Sequence, residues 1–215
     1  MNGAQRTRSW QRFGSVGGIG PTARLMGKMR MFIQTEITPN PATLKFLPGC
    51  DVMGEGTANF TDADQAARSP LAQRLFELDG ITGVFLGSDF VTVTKTAERG
   101  WDVLKPMILG AIMDHFTSGQ PVLAEGAAGG DGEGADEDDE ITSQIKELIE
   151  TRVRPAVAQD GGDIVFRGFE DGIVYLHMQG SCSGCPSSTA TLRHGIENML
   201  RYYVPEVVEV RPVEW

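Results

Sequence analysis

A chain of 215 residues with 40% hydrophobic content can bury one or two domain cores. No apolar run approaches the roughly 18 residues of a membrane span, and three cysteines are too few, and odd in number, for a disulfide framework, so thiols in a reducing compartment are expected. The net charge of -10 is uneven: residues 1–30 hold six bases and no acid, residues 125–140 hold eight acids and no base, and neither folded part shows the basic stripe of a nucleic-acid binder.

Residues 1–30 have Arg, Gly and Ser but no apolar period and no secretory core. Two readings stay open, a disordered or miscalled extension and an organellar transit peptide, because Met29 and Met31 are both acceptable starts. From Met31 the alternation Phe32, Gln34, Glu36 predicts a strand, and the turn Pro39-Asn40-Pro41 leads to a second at Thr43–Leu47. Ser69-Pro70 reads as an N-cap and first helical residue, with Leu71, Leu75 and Leu78 on one face and a stop at Asp79-Gly80. The runs Ile81–Leu86 and Phe90–Thr94, split by Gly87-Ser88-Asp89, read as a hairpin. A helix follows with the stripe Trp101, Leu104, Ile108, Ile112 and His115; Pro106 suits it only in or near the first turn. His115 is expected at the edge of the core.

Residues 118–140 are Gly, Ala and acid with little to pack, the composition of a flexible, self-repelling linker. Beyond it Ile141, Ile145, Leu148, Ile149 and Val153 line a helical face, and Pro155 marks a kink or the approaching end. Asp160-Gly161-Gly162-Asp163 reads as a turn. Strands at Ile164–Phe169 and Ile173–Met178 are joined through Asp171-Gly172, a strong hairpin signal. Val174, Leu176 and Met178 share one face, while Tyr175 and a half-exposed His177 take the other. The last helix carries Leu192, Ile196, Met199, Leu200 and Tyr203 on one face, and Val207–Val213 closes as a strand. The fold class expected is α+β: two small two-layer α/β domains joined by an acidic flexible linker. The boundaries are an extension at 1–30, a first domain at 31–117, the linker at 118–140 and a second domain at 141–215.

Cys182 and Cys185 lie between strand and helix. With Pro186 as first helical residue, Cys185 becomes the N-cap, facing free amides at the positive helix end that favour thiolate, the nucleophile and metal ligand. Small neighbours (Gly180, Ser181, Ser183, Gly184) let loop amides approach inorganic sulfide. From spacing alone three readings remain: redox pair, metal half-site, structural pair. A preceding hairpin instead of a βαβ unit weakens the redox reading, and the domain lacks two further ligands for zinc. Cys50 is a lone thiol without an assigned role.

The segments "RPAVAQDGGDIVF" (154–166) and "GSCSGCPSSTATL" (180–192) resemble the NifU-like (Nfu) C-terminal domain of iron–sulfur cluster scaffold and carrier proteins. "MFIQTEITPNPATLKFLPG" resembles the start of the Nfu N-terminal domain. The resemblance implies a non-enzymatic carrier that binds a [4Fe-4S] cluster through Cys182 and Cys185. Its partners would be upstream cluster-assembly machinery and the apo-proteins to which it passes clusters, whether assembled on it or received, with no nucleic-acid or membrane partner. One pair of thiols per chain, against about four ligands for a cubane, leads to a homodimer bridged by the cluster. The alternative is a thiol–disulfide oxidoreductase using the same pair. The location expected is a bacterial cytoplasm, or the mitochondrial matrix if residues 1–30 are a transit peptide.

Overall fold

The computed structural model describes residues 32–124, 139–184 and 186–213, the side chains of 186–188 excepted. The expectations for residues 1–30, and for the linker between 125 and 138, lie outside the described residues. Among the described residues no helix is long and apolar enough to cross a membrane.

The first domain opens with β1 (Gln34–Ile37) and β2 (Thr43–Leu47), an antiparallel pair joined through the Asn40 turn. Next come β3 (Ala58–Phe60), α1 (Ala63–Ala66), α2 (Pro70–Phe76), β4 (Ile81–Leu86), β5 (Val91–Lys95) and α3 (Trp101–Ser118). The five strands form one antiparallel sheet in the order β1-β2-β5-β4-β3. Short β3 and α1 were not expected: three and four residues are too few to display a period. Ser69 caps α2 as anticipated, its hydroxyl accepting from the Ala72 amide and donating to the Val122 carbonyl at 2.6 Å.

Leu44 and Phe46, Val84 and Leu86, Val91 and Val93 point to one face, where Leu71, Leu75, Leu104, Ile108 and Ile112 of the helices complete a dry core. Helix α3 runs through Pro106, deeper than the first turn; the carbonyl that loses its donor belongs to exposed Asp102. His115 is fully buried rather than at the core edge, and neither ring nitrogen has a hydrogen-bond partner. Burial first, and Arg74 second, hold its pKa below the ordinary histidine value.

The second domain begins with α4 (Glu140–Leu148), a π-helical turn (Ile149–Val153) and α5 (Arg154–Gln159), which together make one continuous rod. Ile145, Ile149, Val153 and Val157 recur every four residues and are all buried. On an α-helix of 3.6 residues per turn such a stripe drifts around the rod; the wider i→i+5 turn holds it on the sheet. That turn also precedes Pro155, which has no amide for the helical ladder. The expected kink is therefore a π turn.

Strands β6 (Gly162–Glu170) and β7 (Ile173–Gly180) form the hairpin, with Asp171 and Gly172 at φ 51° and 80°. Helix α6 (Pro186–Tyr203) crosses over so that β8 (Glu209–Val213) pairs parallel to β7, giving the order β6-β7-β8. Ile164, Val174, Leu176, Met178 and Val210 meet the first rod and Ile196 and Leu200 of α6. Tyr203, expected on the packed face, is instead exposed, stacked edge-on against Tyr202.

Strand side chains alternate, so the face of the first sheet away from α2 and α3 should meet water. Thr43, Lys45, Phe85 and Thr92 lie on it and are nonetheless buried. Lys45 and Phe85 flank Thr92 in register across β2, β5 and β4. What covers Lys45, Phe85 and Thr92 belongs to the second domain.

Candidate metal centre

The site grows out of the end of β7. Gly180 leaves the strand with φ 62°, a backbone turn that L side chains resist. Three amides then fold the loop back: Ser181 donates to the Gly161 carbonyl at 3.2 Å, Cys182 to Gln179 at 3.3 Å and Ser183 to Gly180 at 3.2 Å. The Ser181 hydroxyl donates to the Asp160 carbonyl at 2.6 Å, and Thr189 of α6 reaches back to the Cys182 carbonyl at 3.0 Å. The loop is thus tied to the turn before β6 and to the helix after it.

This folding drives the Cys182 side chain inward. It is 5% exposed and packs as part of the second core. Its sulfur lies over Gly162, where a Cβ would stand 2.6 Å from Sγ and 2.7 Å from the Gln179 carbonyl. The glycine pair at 161–162 therefore has two uses: Gly161 takes φ 82°, and Gly162 makes room for a thiol. Desolvation pushes the Cys182 thiol up to about 12; the Ser181 hydroxyl opposes the shift, and the Asp160 and Asp163 carboxylates add to it. In this conformation Cys182 is a protonated, apolar-packed thiol. Through Cys182 the loop contributes to the second core.

Cys185, expected as the N-cap, lies outside the described residues; α6 begins directly after it, at Pro186. Cys50 is half-buried in the first domain, its pKa raised by desolvation and then by Asp51. His177 is half-buried and shares a hydrogen bond with the Val213 carbonyl at 3.0 Å. Among the described residues no three His, Cys, Asp or Glu side chains converge on a metal-sized site. Among the described residues the thiol that this loop contributes is that of Cys182, seated in the second core.

Sequence reasoning missed the polar frame behind the loop. Asp163, almost fully buried, accepts from Arg154 Nη2 at 2.7 Å, from Arg154 Nε and its neighbouring Ile164 amide at 2.8 Å each, and from the Thr57 hydroxyl at 2.9 Å. Asp163 and Glu150 raise the Arg154 pKa above its ordinary value. The one available signal was an aspartate directly before an apolar strand, a position where a carboxylate needs a partner.

Two family models match the chain: "Scaffold protein Nfu/NifU N terminal" over residues 33–119 and "NifU-like domain" over residues 145–211. A Drosophila ananassae protein named "NFU1 iron-sulfur cluster scaffold homolog, mitochondrial" is 51% identical over 191 residues, 88% of this chain and 67% of that one. The chain belongs to the Nfu/NifU scaffold-protein family. A Drosophila erecta relative with the same name is 53% identical over 188 residues, and the chain spans 66% of that relative's length. An NMR structure of a NifU-like protein from Saccharomyces cerevisiae aligns over 51% of this chain and 99% of that one, at 26% identity and a TM-score of 0.43. Both Drosophila Nfu proteins carry the word mitochondrial in their names, which overturns the expectation of a bacterial cytoplasm.

Proposed function

We propose that this protein is a mitochondrial iron–sulfur cluster scaffold and carrier, not an enzyme. Its cargo is a [4Fe-4S] cluster held by Cys182 and Cys185 of two copies, received from assembly machinery and passed to apo-proteins. The observation that carries the reading is the position of these two thiols: they stand at the start of α6 inside the span matching the NifU-like domain. Relatives bearing scaffold names at 51–53% identity support the role, and the acid-free, arginine-bearing stretch 1–30 agrees with their mitochondrial location. The oxidoreductase alternative needs the same thiolate, so burial of Cys182 weighs equally on both readings and iron content separates them.

Each chain brings two thiols to a cargo that takes about four, so two-fold pairing of the loops completes the set. Ligation requires Cys182 to give up its proton and leave its seat over Gly162, while Thr189 ties the loop to α6. Cluster loss then removes the link between copies, which suits a carrier.

The test is iron and sulfide content together with mass after anaerobic reconstitution. A dimer with about two irons per chain, four shared by two, is expected, and a mainly monomeric apo-protein. Cys182→Ser should retain almost no iron, and Cys50→Ser should retain all of it. A monomer carrying about four irons per chain would sink the bridging model.

A further inference from the structure

The buried outer face of the first sheet meets the cysteine loop. Asn40 Nδ2 donates to the carbonyl of Ser183, between the two cysteines, at 3.0 Å. Lys45 Nζ donates to the Ala158 and Gln159 carbonyls at 3.1 and 3.0 Å, and Thr92 Oγ1 to the Gly161 carbonyl at 2.8 Å. Phe85 closes over Gly180, whose Cβ would lie 3.0 Å from the ring. Lys45 is 7% exposed and Thr92 fully buried, so these bonds are made away from water. The four carbonyls belong to the loop, to the end of α5 and to the turn before β6 that the loop is tied to.

We infer that the first domain is an intramolecular clamp: its outer sheet face binds the chain's own cysteine loop in the inward, thiol-buried conformation, and must release it before Cys182 can act. The inference rests on the reading of Cys182 as a cluster ligand. The occupant of this face is the loop itself, and its recognition is by donors: an amide, an ammonium and a hydroxyl aimed at backbone carbonyls. Such donors read loop shape and not loop side chains, so they hold only the conformation that presents these carbonyls together. While the clamp is closed, Cys182, 5% exposed, is withheld from a second copy of the loop.

The test uses the full-length apo-protein with Cys50→Ser and Cys185→Ser, leaving Cys182 as the only thiol. Its rate of reaction with N-ethylmaleimide is compared with and without Asn40→Asp or Lys45→Met. Asn40→Asp keeps the acceptor that holds the Ala42 amide at 3.0 Å and loses only the donor to Ser183. Lys45→Met keeps an apolar stem and loses the ammonium. Each should raise the rate about tenfold, equal to about 1.4 kcal/mol of loop closure. A rate unchanged in Asn40→Asp overturns the clamp, whether or not Lys45→Met folds. So does a rise matched by an equal loss of global stability, since whole-chain unfolding then exposes the thiol. Iron uptake by the same variants with all three cysteines present should quicken in step. Faster alkylation with no iron in any variant upholds the clamp and sinks the scaffold reading. Iron bound by variants whose alkylation is unchanged does the reverse.

Discussion

In the first domain the residues that hold the fold are apolar and lie on one face of the sheet, among them Phe46 and Ile112, while Lys45, Thr92 and Phe85 of the outer face are buried against another part of the chain. In the second domain the outer face stays half-open at Val165, Tyr175 and His177, and polar or reactive groups enter the frame instead: Cys182 in the core and Asp163 beneath the loop. One domain is thus a self-sufficient core with a docking face. The other depends on paired charge and a cramped thiol seat.

Arg154→Met should break the contrast most severely. It strands the Asp163 carboxylate, and loss of one partner of a buried pair costs about 3 kcal/mol. Exchange of amide hydrogens followed by region should rise in β6, β7 and α6 and stay slow in α3; uniform loss across both domains would erase the distinction. Gly162→Ala should cost about 2 kcal/mol, because the new methyl meets Sγ and a backbone carbonyl with no flexible end to give way. Urea midpoints measure it, and a neutral outcome would mean that Cys182 is not seated as described.

The smallest effect is alkaline. The folded state holds the Cys182 proton up to about 12, whereas an unfolded thiol loses it near the ordinary value of 9.0. Above that value the unfolded chain binds fewer protons, so stability is intact below pH 9 and falls through the window toward 12. Between pH 8 and pH 10 the loss should be about 1 kcal/mol. Cys182→Ala should remove that part of the slope; an equal slope in the variant would contradict the burial of the thiol.

Much of this architecture was legible because its signals are local. Thr43–Leu47 alternates apolar and polar residues, Ile81–Leu86 is an apolar run bounded by turn residues, Ser69-Pro70 is a helix start, and Asp171-Gly172 supplies the two positive φ angles of a tight hairpin. The Cys-x-x-Cys pair was equally visible. Lys45 and Thr92 were not, because a lysine and a threonine at alternate strand positions look the same whether water or a carbonyl-rich loop lies outside them. Nor could spacing reveal that Cys182 turns inward onto Gly162, a contact across 20 residues of chain that depends on β6 and β7 pairing first. What the sequence hid is everything that depends on one segment meeting another.

The parallel pairing of β7 with β8 has a consequence for the order of assembly. Hairpin β6–β7 closes through a tight turn and needs almost no search, whereas β8 meets partners 36 residues away, as His177 and Val213 are, and only after α6 has crossed over. Loop closure and contact order make that step the slow one. Until it is complete, the strand leading to the cysteines presents a bare hydrogen-bonding edge, able to recruit any free strand, including that of a second chain. Nascent molecules held close together are therefore in danger of pairing by the wrong edge.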